Sequence, residues 1–416
     1  MTAPLRVATL FTTFPLDSET FYQREVRAMR DLPVELTLYS LWRGGRTFEG
    51  RPVHRFALWQ WAALVWFLPT WLARRPQVFF ALVKRLARTK MPSWLNAGET
   101  LLGLAFALSR AGRFARERPD LIHAAWATAP GTAAELLSAL TGIPFAMGSH
   151  AYDVFRDGGD WLLAGKLRTA SLVVTSSEAT RRALLARGGP PGRTVLVRRG
   201  LDEIPALGPP RAIRRPLRLL SVGRLVEKKG YPEQLALYAA LSEADFAFEA
   251  RIVGGGPLEG ALRRRAAALG LAGRVSILGP LSHADVRAQY AWADVLLFTG
   301  QVARSGDRDG LPNVILEAMA HGVVVVARDV AGVAEAVVDG RTGVLITAPG
   351  TDPWLAALGR LQHDDRFTEE LRAGARAWVA AHHDARRNAA QLLAHFTTVA
   401  KTSIASEAQQ PDVVPA

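Results

Sequence analysis

Residues 221–230 read Ser221-Val222-Gly223-Arg224-Leu225-Val226-Glu227-Lys228-Lys229-Gly230. They begin at the end of an apolar run that predicts a strand over 217–222, and they precede a helix predicted to begin near Pro232. The order strand, loop, helix places the loop at the carboxyl edge of a parallel sheet, where open α/β sheets bind their ligands. A helix amino terminus with basic side chains beside it attracts anions. The sequence of this loop therefore predicts a phosphate-binding site in which Arg224 and Lys229 bind the phosphate groups.

Similar apolar runs alternate with helical stretches along the rest of the chain. This rhythm is typical of βαβ units on a parallel sheet. In the first half we predict strands over 5–10, 34–39, 121–123, 144–147 and 172–175. In the second half the pattern restarts, with strands over 217–222, 250–253, 275–278, 294–298 and 323–327. A chain of 416 residues is too long for one ordinary core, so we predict two α/β domains.

The domain boundary is predicted from a stretch rich in Pro and Arg over 208–216. The first domain then covers 1–210 and the second 211–380. A helix over 381–400 is expected to pack back toward the first domain. The segment 401–416 has too few apolar residues to fold, and we predict a disordered tail there.

Composition narrows the function classes. Apolar residues make up 49% of the chain and charged residues 21%, which is typical of a globular protein. The chain lacks cysteine, so disulfides and thiolate zinc sites are excluded and a reducing compartment fits. Residues 1–13 lack the features of a signal peptide, and we expect a cytoplasmic protein. The net charge of +13 indicates an anionic partner: nucleic acid, anionic lipid or a phosphorylated substrate.

An insertion over 56–95 departs from the βαβ pattern and is predicted to be helical. It combines tryptophans with basic residues: Trp59, Trp61, Trp66, Trp71, Trp94, Arg74, Arg75, Lys84, Arg85, Arg88 and Lys90. Gln60 and Pro69 interrupt its most apolar part, which argues against a membrane span. Two interpretations stay open. The helices dock in the headgroup layer of an anionic membrane, or they cover the first sheet as ordinary amphipathic helices.

A second informative segment is Asp309-Gly310-Leu311-Pro312-Asn313-Val314-Ile315-Leu316-Glu317-Ala318-Met319-Ala320-His321-Gly322. Pro312 suits the first turn of a helix, and the free amides around Asn313 and Val314 can receive a diphosphate. Glu317 follows one turn later, where a carboxylate can accept both hydroxyls of a ribose. The triplet Gly254-Gly255-Gly256 follows another strand and either lets the backbone approach the phosphates or forms a tight turn.

Together these segments resemble the signature of family 4 glycosyltransferases of the GT-B fold, namely the loop VGRLVEKKG and an acid, seven residues, then Glu. Three further stretches resemble the branch that makes colanic acid and exopolysaccharides: FPLDSETF over 14–21, GSHAYDV over 148–154 and GDRDG over 306–310. The resemblance implies two Rossmann-like domains that face each other across a deep cleft. It also implies a retaining enzyme that moves a sugar from a nucleotide-sugar donor to a saccharide or polyprenyl-diphosphate-linked acceptor, peripheral to the inner face of the plasma membrane.

The resemblance also assigns roles. Arg224 and Lys229 would hold the diphosphate, Glu317 the ribose and Asp309 the transferred sugar, while His150 would approach the reaction centre from the first domain. The catalytic set is then His150, Asp309, Arg224 and Lys229. The donor-binding set is Arg224, Lys229, Gly254, Gly255, Leu311, Asn313, Val314 and Glu317. Acceptor contacts are expected from Ser18, Glu19, Thr20 and His123.

Four points qualify the resemblance. The family usually has Glu at the position of Asp309 and Pro at that of Val324, and His150 has the alternative of a buried, hydrogen-bonded histidine. Asp307-Arg308-Asp309 spells the DxD of metal-dependent glycosyltransferases, which we interpret as coincidence, expecting no metal and no cofactor.

Other classes of function have less support. The spacing of Gly254-Gly255-Gly256 does not match GxGxxG, which argues against a dinucleotide-dependent oxidoreductase. A noncatalytic protein that binds sugar nucleotides or another anion is the alternative function. A nucleic-acid partner is not expected, because the charge has no recognition motif behind it.

Overall fold

The computed structural model describes residues 3–16, 19–57, 59–62, 64–206 and 212–408. The chain divides into two compact units. Unit 1 comprises Met1–Gly200 and Ala385–Ala416, and unit 2 comprises Leu201–Asp384. The segment Ala385–Ala408 is one helix that belongs to unit 1, so the expected tail over 401–416 is helical as far as Ala408. Residues 409–416 of that tail, and Ser18 among the expected acceptor contacts, lie outside the described residues.

Unit 1 contains a mixed, mostly parallel sheet. Its strands are β1 (Leu5–Phe11), β2 (Val34–Ser40), β3 (Thr47–Phe48), β4 (Arg51–Arg55), β5 (Leu121–Ala124), β6 (Phe145–Gly148), β7 (Leu172–Thr175) and β8 (Thr194–Leu196). They lie in the order β3-β4-β2-β1-β5-β6-β7-β8, and only β3 is antiparallel to its neighbour. Strands β2 to β4 lie on one side of β1 and strands β5 to β8 on the other, so the order in which strands are added changes direction between β1 and β5.

Unit 2 contains a parallel sheet. Its strands are β9 (Leu217–Val222), β10 (Phe248–Val253), β11 (Val275–Gly279), β12 (Val295–Phe298), β13 (Val324–Arg328) and β14 (Val344–Ile346). The order β11-β10-β9-β12-β13-β14 is that of a doubly wound Rossmann sheet, and its reversal lies between β9 and β12. The prediction of two Rossmann-like α/β domains is confirmed.

Helices connect the strands of each sheet. Those of unit 1 are α1 (Thr20–Ala28), α2 (Trp59–Ala62), α3 (Leu64–Arg74), α4 (Pro76–Arg88), α5 (Trp94–Glu117), α6 (Ala129–Thr141), α7 (Ala151–Phe155), α8 (Leu163–Thr169), α9 (Glu178–Ala186) and α16 (Ala385–Ala408). Those of unit 2 are α10 (Tyr231–Glu243), α11 (Glu259–Ala268), α12 (His283–Trp292), α13 (Asn313–Ala320), α14 (Asp352–His363) and α15 (Asp365–His382).

All ten predicted strands are present within two residues at each end. The strands β3, β4, β8 and β14 were not predicted. They are short, of two to five residues. Strands β3, β8 and β14 lie at sheet edges and β4 lies next to one, so they carry little of the apolar pattern that marks a central strand. The first unit ends at Gly200 and the second at Asp384, where 210 and 380 were expected.

The insertion over 56–95 is helical, as predicted, and only part of it is buried. Trp71 and Phe79 are 8% exposed and belong to the core of unit 1. Trp66 and Phe80, on α3 and α4, are 77% and 71% exposed. Helix α3 continues through Pro69. In the described ranges, every helix falls short of the length or the apolarity needed to span a bilayer.

Candidate active site

The reversal point of the unit 2 sheet gathers the loops that the sequence marked. Because all its strands are parallel, the loops after β9, β10 and β12 leave the same edge of the sheet. The loop after β9 carries Arg224 and Lys229, and the loop after β12 carries Asp309 and leads into α13. Strands β9 and β12 are the pair at which a doubly wound sheet opens a crevice for a ligand.

The turn that carries the two lysines is fixed against the end of β12. It closes at Gly230, whose φ of 69° is in the left-handed region that favours glycine. A Cβ at Gly230 would stand 2.0 Å from the carbonyl oxygen of Thr299, so only glycine allows this approach. The Thr299 hydroxyl also donates to the carbonyls of Lys229 and Gly230, each at 3.2 Å. The backbone therefore sets the position of both lysines.

Two lysines and two aspartates form a compact charge cluster at this edge. Lys229 Nζ lies 2.6 Å from Asp309 Oδ2, and Lys228 Nζ lies 3.0 Å from Asp307 Oδ2. Burial raises the pKa of Asp309, but the charges of Lys229, Lys228 and Arg224 outweigh it and leave that pKa below its ordinary value. Asp309 is consequently ionised at neutral pH. The Arg224 side chain is exposed beside the cluster.

Helix α13 begins next to the cluster, one residue later than expected. Pro312 is its N-cap with an extended ψ of 126°, and Asn313 is the first helical residue. Pro312 cannot donate, so the first backbone donors of the helix are the amides of Asn313 and Val314. In an α-helix these amides have no intrahelical acceptor, which makes them available to an anion.

Glu317 is held in a defined orientation on α13. The Tyr290 hydroxyl donates to Glu317 Oε2 at 3.0 Å. The Tyr290 ring stacks on His321 with 5.1 Å between ring centroids, and His321 Nδ1 lies 2.8 Å from the Glu317 carbonyl oxygen. Glu317 is half-buried, and Tyr290 therefore sets the orientation of its carboxylate.

The glycine triplet after β10 packs against the loop after β9. A Cβ at Gly254 would stand 2.0 Å from the Gly223 carbonyl oxygen, and one at Gly256 would stand 2.6 Å from that of Leu225. Gly255 has only the Pro280 ring near its Cβ position, at 3.5 Å. A side chain at Gly254 or Gly256 would therefore collide with the loop after β9, so the contact between the two loops by itself requires glycine at both positions.

His150 lies at the end of β6 in unit 1, as the N-cap of α7. Arg199 Nη2 is 2.8 Å from His150 Nε2, and Ser176 Oγ is 3.4 Å from His150 Nδ1. Burial, followed by the charge of Arg199, lowers the pKa of His150 well below its ordinary value. Since Arg199 can only donate, Nε2 is the acceptor and the neutral ring carries its proton on Nδ1. His150 is therefore a neutral hydrogen-bonding group.

A buried aspartate ties the loops around His150 together. Asp153 accepts hydrogen bonds from the backbone amides of His150 at 2.7 Å and Ala127 at 3.1 Å. Its pKa is raised to about 8, chiefly by burial. Lys166 Nζ, fully buried, donates to the Ala127 carbonyl at 2.5 Å and pairs with Asp160 at 2.8 Å. These contacts fix the ends of β5 and β6 relative to each other.

The expected acceptor contacts that the structure describes are Glu19, Thr20 and His123. Glu19 accepts a hydrogen bond from the Trp126 indole at 3.3 Å, and Thr20 is the first residue of α1. His123 is only 4% exposed, and its ring packs 4.9 Å from that of Phe396 on α16. Burial lowers the pKa of His123 to about 3. His123 is thus part of the unit 1 core, because α16 covers the strand end that the sequence pattern left open.

Four residues of these clusters were missed by the sequence analysis: Lys228, Asp307, Arg199 and Tyr22. Lys228 and Asp307 stand in the segments already singled out, so their position was a usable signal. Tyr22 Oη lies 3.1 Å from His150 Nε2, and Arg199 stacks over the Tyr22 ring at 4.4 Å. No motif marked Arg199 or Tyr22, because the fold brings them to His150 from 49 and 128 residues away.

Comparison with known protein families matches nearly the whole chain in two parts. The model described as Glycosyltransferase Family 4 matches residues 18–203, and the model described as Glycosyl transferases group 1 matches residues 210–378. The chain is 28% identical to the putative colanic acid biosynthesis glycosyltransferase WcaL of Salmonella typhimurium, over 86% of this chain and 92% of that protein. It is 30% identical to the amylovoran biosynthesis glycosyltransferase AmsK of Erwinia amylovora, over 53% of this chain and 56% of that protein.

Solved structures share the fold. Anabaena Alr3699/HepE, solved in complex with UDP and glucose, has a TM-score of 0.66 at 18% identity and covers 94% of this chain and 99% of its own. Sucrose-phosphate synthase from Thermosynechococcus elongatus has a TM-score of 0.73 at 16% identity, over 96% of this chain and all of its own. At these identities the likeness establishes the two-domain GT-B architecture.

Proposed function

The chain belongs to the family 4 glycosyltransferases, and on this basis we propose that it moves a sugar from a nucleoside diphosphate donor to a saccharide acceptor of a cell-surface polysaccharide, with retention of configuration. One observation carries the proposal: Lys229, Asp309 and the amino end of α13 meet at the reversal point of the unit 2 sheet. The names of WcaL and AmsK support exopolysaccharide synthesis as the process.

Unit 2 supplies the positive charge that a departing nucleoside diphosphate requires. Arg224 and Lys229 provide two cations, and the amides of Asn313 and Val314 provide donors at a helix amino terminus. Groups that are already in place when charge develops stabilise the transition state without reorganisation. We assign the diphosphate to these four residues and the ribose to Glu317.

Asp309 is suited to bind the donor sugar through its hydroxyl groups. Its carboxylate is ionised and paired with Lys229 at 2.6 Å, which disfavours its use as a nucleophile. In the proposed front-face reaction the acceptor oxygen bonds to the anomeric carbon as the bond to the diphosphate oxygen breaks. The acceptor proton passes to that phosphate oxygen, and the products are the glycoside and the nucleoside diphosphate. We propose that the neutral ring of His150 forms a hydrogen bond with the donor sugar or with the phosphate attached to it.

We propose that the reaction does not use a metal ion. The carboxylates of Asp307 and Asp309, which would form a DxD site, are both paired with lysine ammonium groups. Arg224 and Lys229 supply the positive charge that a divalent metal contributes in DxD enzymes. Turnover should survive EDTA. Loss of turnover in EDTA that manganese restores would contradict this part of the proposal.

We further propose that unit 1 docks on an anionic membrane through the α3–α4 surface, meaning the exposed side chains of residues 64–90. Residues 50–98 contain no acidic residue, while Arg74, Arg75, Lys84, Arg88 and Lys90 are all exposed. Exposed apolar side chains lie on the same two helices: Val65, Trp66, Leu68, Leu72, Phe80 and Val83. This combination suits the headgroup layer of a membrane and a lipid-linked acceptor held there.

A mostly buried ion pair helps the core residue Phe79 to fix helix α4 to unit 1. Arg85 pairs with Glu135 of α6 through its two terminal guanidinium nitrogens, Nη1 and Nη2. The Thr169 hydroxyl donates to the same carboxylate at 2.8 Å. Because Arg85 points inward, its neighbours Lys84 and Arg88 stay exposed. The pair thus orients α4 so that its positive side chains can meet lipid phosphates.

A thermal-shift panel tests the donor assignment. UDP, GDP, ADP and their sugars are added to the wild-type chain, to Glu317→Ala and to Glu259→Ala, a control in an exposed ion pair on α11. A specific donor should raise the melting temperature of the wild type and the control but not that of Glu317→Ala. Transfer of the stabilising sugar to an acceptor then separates an enzyme from a noncatalytic binding protein. A wild-type chain that responds to no nucleotide contradicts the proposal.

A further inference from the structure

The proposed reaction gives no role to Lys228, although this lysine lies in the same charge cluster as Lys229. Residues 201–384 contain lysine only at positions 228 and 229, although arginine is frequent throughout that unit. Lysine presents a compact ammonium on a flexible stem, whereas arginine presents a planar fork that fits one carboxylate. Two adjacent lysines in an otherwise arginine-based unit therefore indicate that the compact group matters there.

The Lys228 ammonium lies between two carboxylates. Its Nζ is 3.0 Å from Asp307 Oδ2 and 3.1 Å from Asp307 Oδ1, so it contacts both oxygens of that residue. It is also 3.6 Å from Asp309 Oδ1. The Lys228 side chain is 9% exposed, and Asp307 and Asp309 are 16% and 15% exposed. Ion pairs with this little solvent contact are screened far less than pairs on the surface.

The backbone around Lys228 anchors the loop that carries both aspartates. Gln301 donates from its amide to the Lys228 carbonyl at 2.9 Å and from its side chain to the Glu227 carbonyl at 2.9 Å. Within the loop, the Ala303 amide donates to the Asp307 carbonyl at 2.9 Å. The loop is thus bound to the lysine turn at its start by Gln301 and near its end by the Lys228–Asp307 ion pair.

The four charged side chains form two ion pairs, and we expect a bound ligand to change them differently. Lys229 contacts Asp309 alone among the carboxylates of the cluster, and its ammonium is the group assigned to the diphosphate. If Lys229 turns to the phosphates, Asp309 loses its nearest cation in a site where burial disfavours an unpaired carboxylate. Lys228 is the cation that remains, still held by Asp307.

We propose that Lys228 and Asp307 are a positioning pair that keeps Asp309 in place for the hydroxyl groups of the donor sugar while Lys229 binds the diphosphate. The inference rests on the proposed function and adds a division of labour between the two adjacent lysines. Lys229 serves the part of the donor that leaves. Lys228 serves, through Asp309, the part that is transferred.

The test compares two ligands of the same site: the nucleoside diphosphate that the panel selects, and its sugar conjugate. Calorimetry gives the dissociation constant of each for the wild type, Lys228→Met and Asp307→Asn. In both variants we expect the sugar conjugate to bind about tenfold more weakly, the size of one lost hydrogen bond to a charged group, and the diphosphate to change by less than about twofold. In the double variant the two effects should not add, because the two residues act as one pair.

Matched controls separate this outcome from general damage. Arg263→Met removes a basic partner of an exposed ion pair on α11 and should leave both dissociation constants unchanged. Lys229→Met should instead weaken binding of the diphosphate itself. Asp307→Asn keeps the shape of the side chain, so it carries the test if Lys228→Met does not fold.

The outcomes distinguish failure of the proposed function from failure of the positioning role. If the wild type binds neither ligand, the proposed function is wrong and the pair has no donor to serve. If the wild type binds both and the variants lose them equally, or lose neither, the positioning role alone is overturned.

Discussion

The carboxylate of Asp309 and the ammonium of Lys229 lie 2.6 Å apart, and the two side chains are 15% and 13% exposed. The pair joins the two loops that leave the sheet at its reversal point. Each partner is also a group that a nucleotide sugar can use, the cation for phosphate and the anion for hydroxyls. If the donor binds here as proposed, contacts within the protein are exchanged for contacts with the donor.

Removing Lys229 should affect turnover more than folding. In Lys229→Met we expect kcat to fall by about a hundredfold or more, the effect of removing one preorganised group that stabilises developing charge. The pKa of Asp309 should rise, because burial then acts with one opposing cation fewer. The pH profile of kcat/KM of the remaining activity should show its acid limb displaced to higher pH. An unchanged rate at saturating donor would remove Lys229 from the reaction.

Stability should decrease toward alkaline pH because of two carboxyl groups in unit 1. The pKa of Glu99 is raised to about 7 by burial and then by Asp160, and that of Asp153 to about 8, chiefly by burial. Tyr152, Arg156 and Lys166 face Glu99 as well. A folded-state pKa above the unfolded value gives stability that is complete below the unfolded pKa and lost as pH rises through the folded one.

Glu99→Gln tests this dependence, because the amide oxygen can still accept from the Tyr152 hydroxyl while the charge is removed. Thermal melts at pH 5.5 and 8.5 should show a smaller loss of melting temperature for Glu99→Gln than for the wild type. Glu117→Gln, in an exposed ion pair on α5, is the control and should behave as the wild type. Equal losses in all three proteins would contradict the raised pKa of Glu99.

The sheets, and the position of Arg224 and Lys229 after β9, could be predicted from the sequence because both depend on local patterns. Apolar runs locate the central strands, and the order strand, loop, helix locates Arg224 and Lys229 at a sheet edge. The surroundings of His150 depend instead on contacts between distant segments: Arg199 reaches its ring from the loop after β8 and Tyr22 from α1, and α16 covers His123. Such contacts follow from the packed fold, which no periodicity in one sequence reveals.

Membrane binding should depend on aromatic and basic side chains of the α3–α4 surface. Trp66→Ser with Phe80→Ser removes two side chains that are 77% and 71% exposed, so the fold should be retained. We expect a large loss of cosedimentation with vesicles that contain anionic lipid. Arg74→Gln with Arg75→Gln should weaken binding by about tenfold or more, since each basic residue near such a surface contributes about 1 kcal/mol, and salt should weaken the wild type in the same way.

The controls for vesicle binding come from unit 2. Val338→Ser replaces an exposed apolar side chain and Arg366→Gln an exposed basic one, and both should bind vesicles as the wild type does. Trp61 is unsuitable as a test position because it packs on the core of unit 1. If the Trp66/Phe80 variant bound vesicles as well as the wild type does, the docking proposal would be wrong and these helices would only cover the first sheet.

Recognition of ribose should depend on Glu317 and on the tyrosine that orients it. The Tyr290 hydroxyl donates to one carboxylate oxygen of Glu317 at 3.0 Å, which sets the orientation of that carboxylate. The wild type should therefore bind a nucleoside diphosphate about tenfold or more tightly than its 2′-deoxy form, as expected for a hydrogen bond to a charged group. Glu317→Ala should abolish this preference and Tyr290→Phe should reduce it, as measured by calorimetry with both nucleotides. Equal affinity of the wild type for the two nucleotides would separate Glu317 from the ribose and leave it a structural residue of α13.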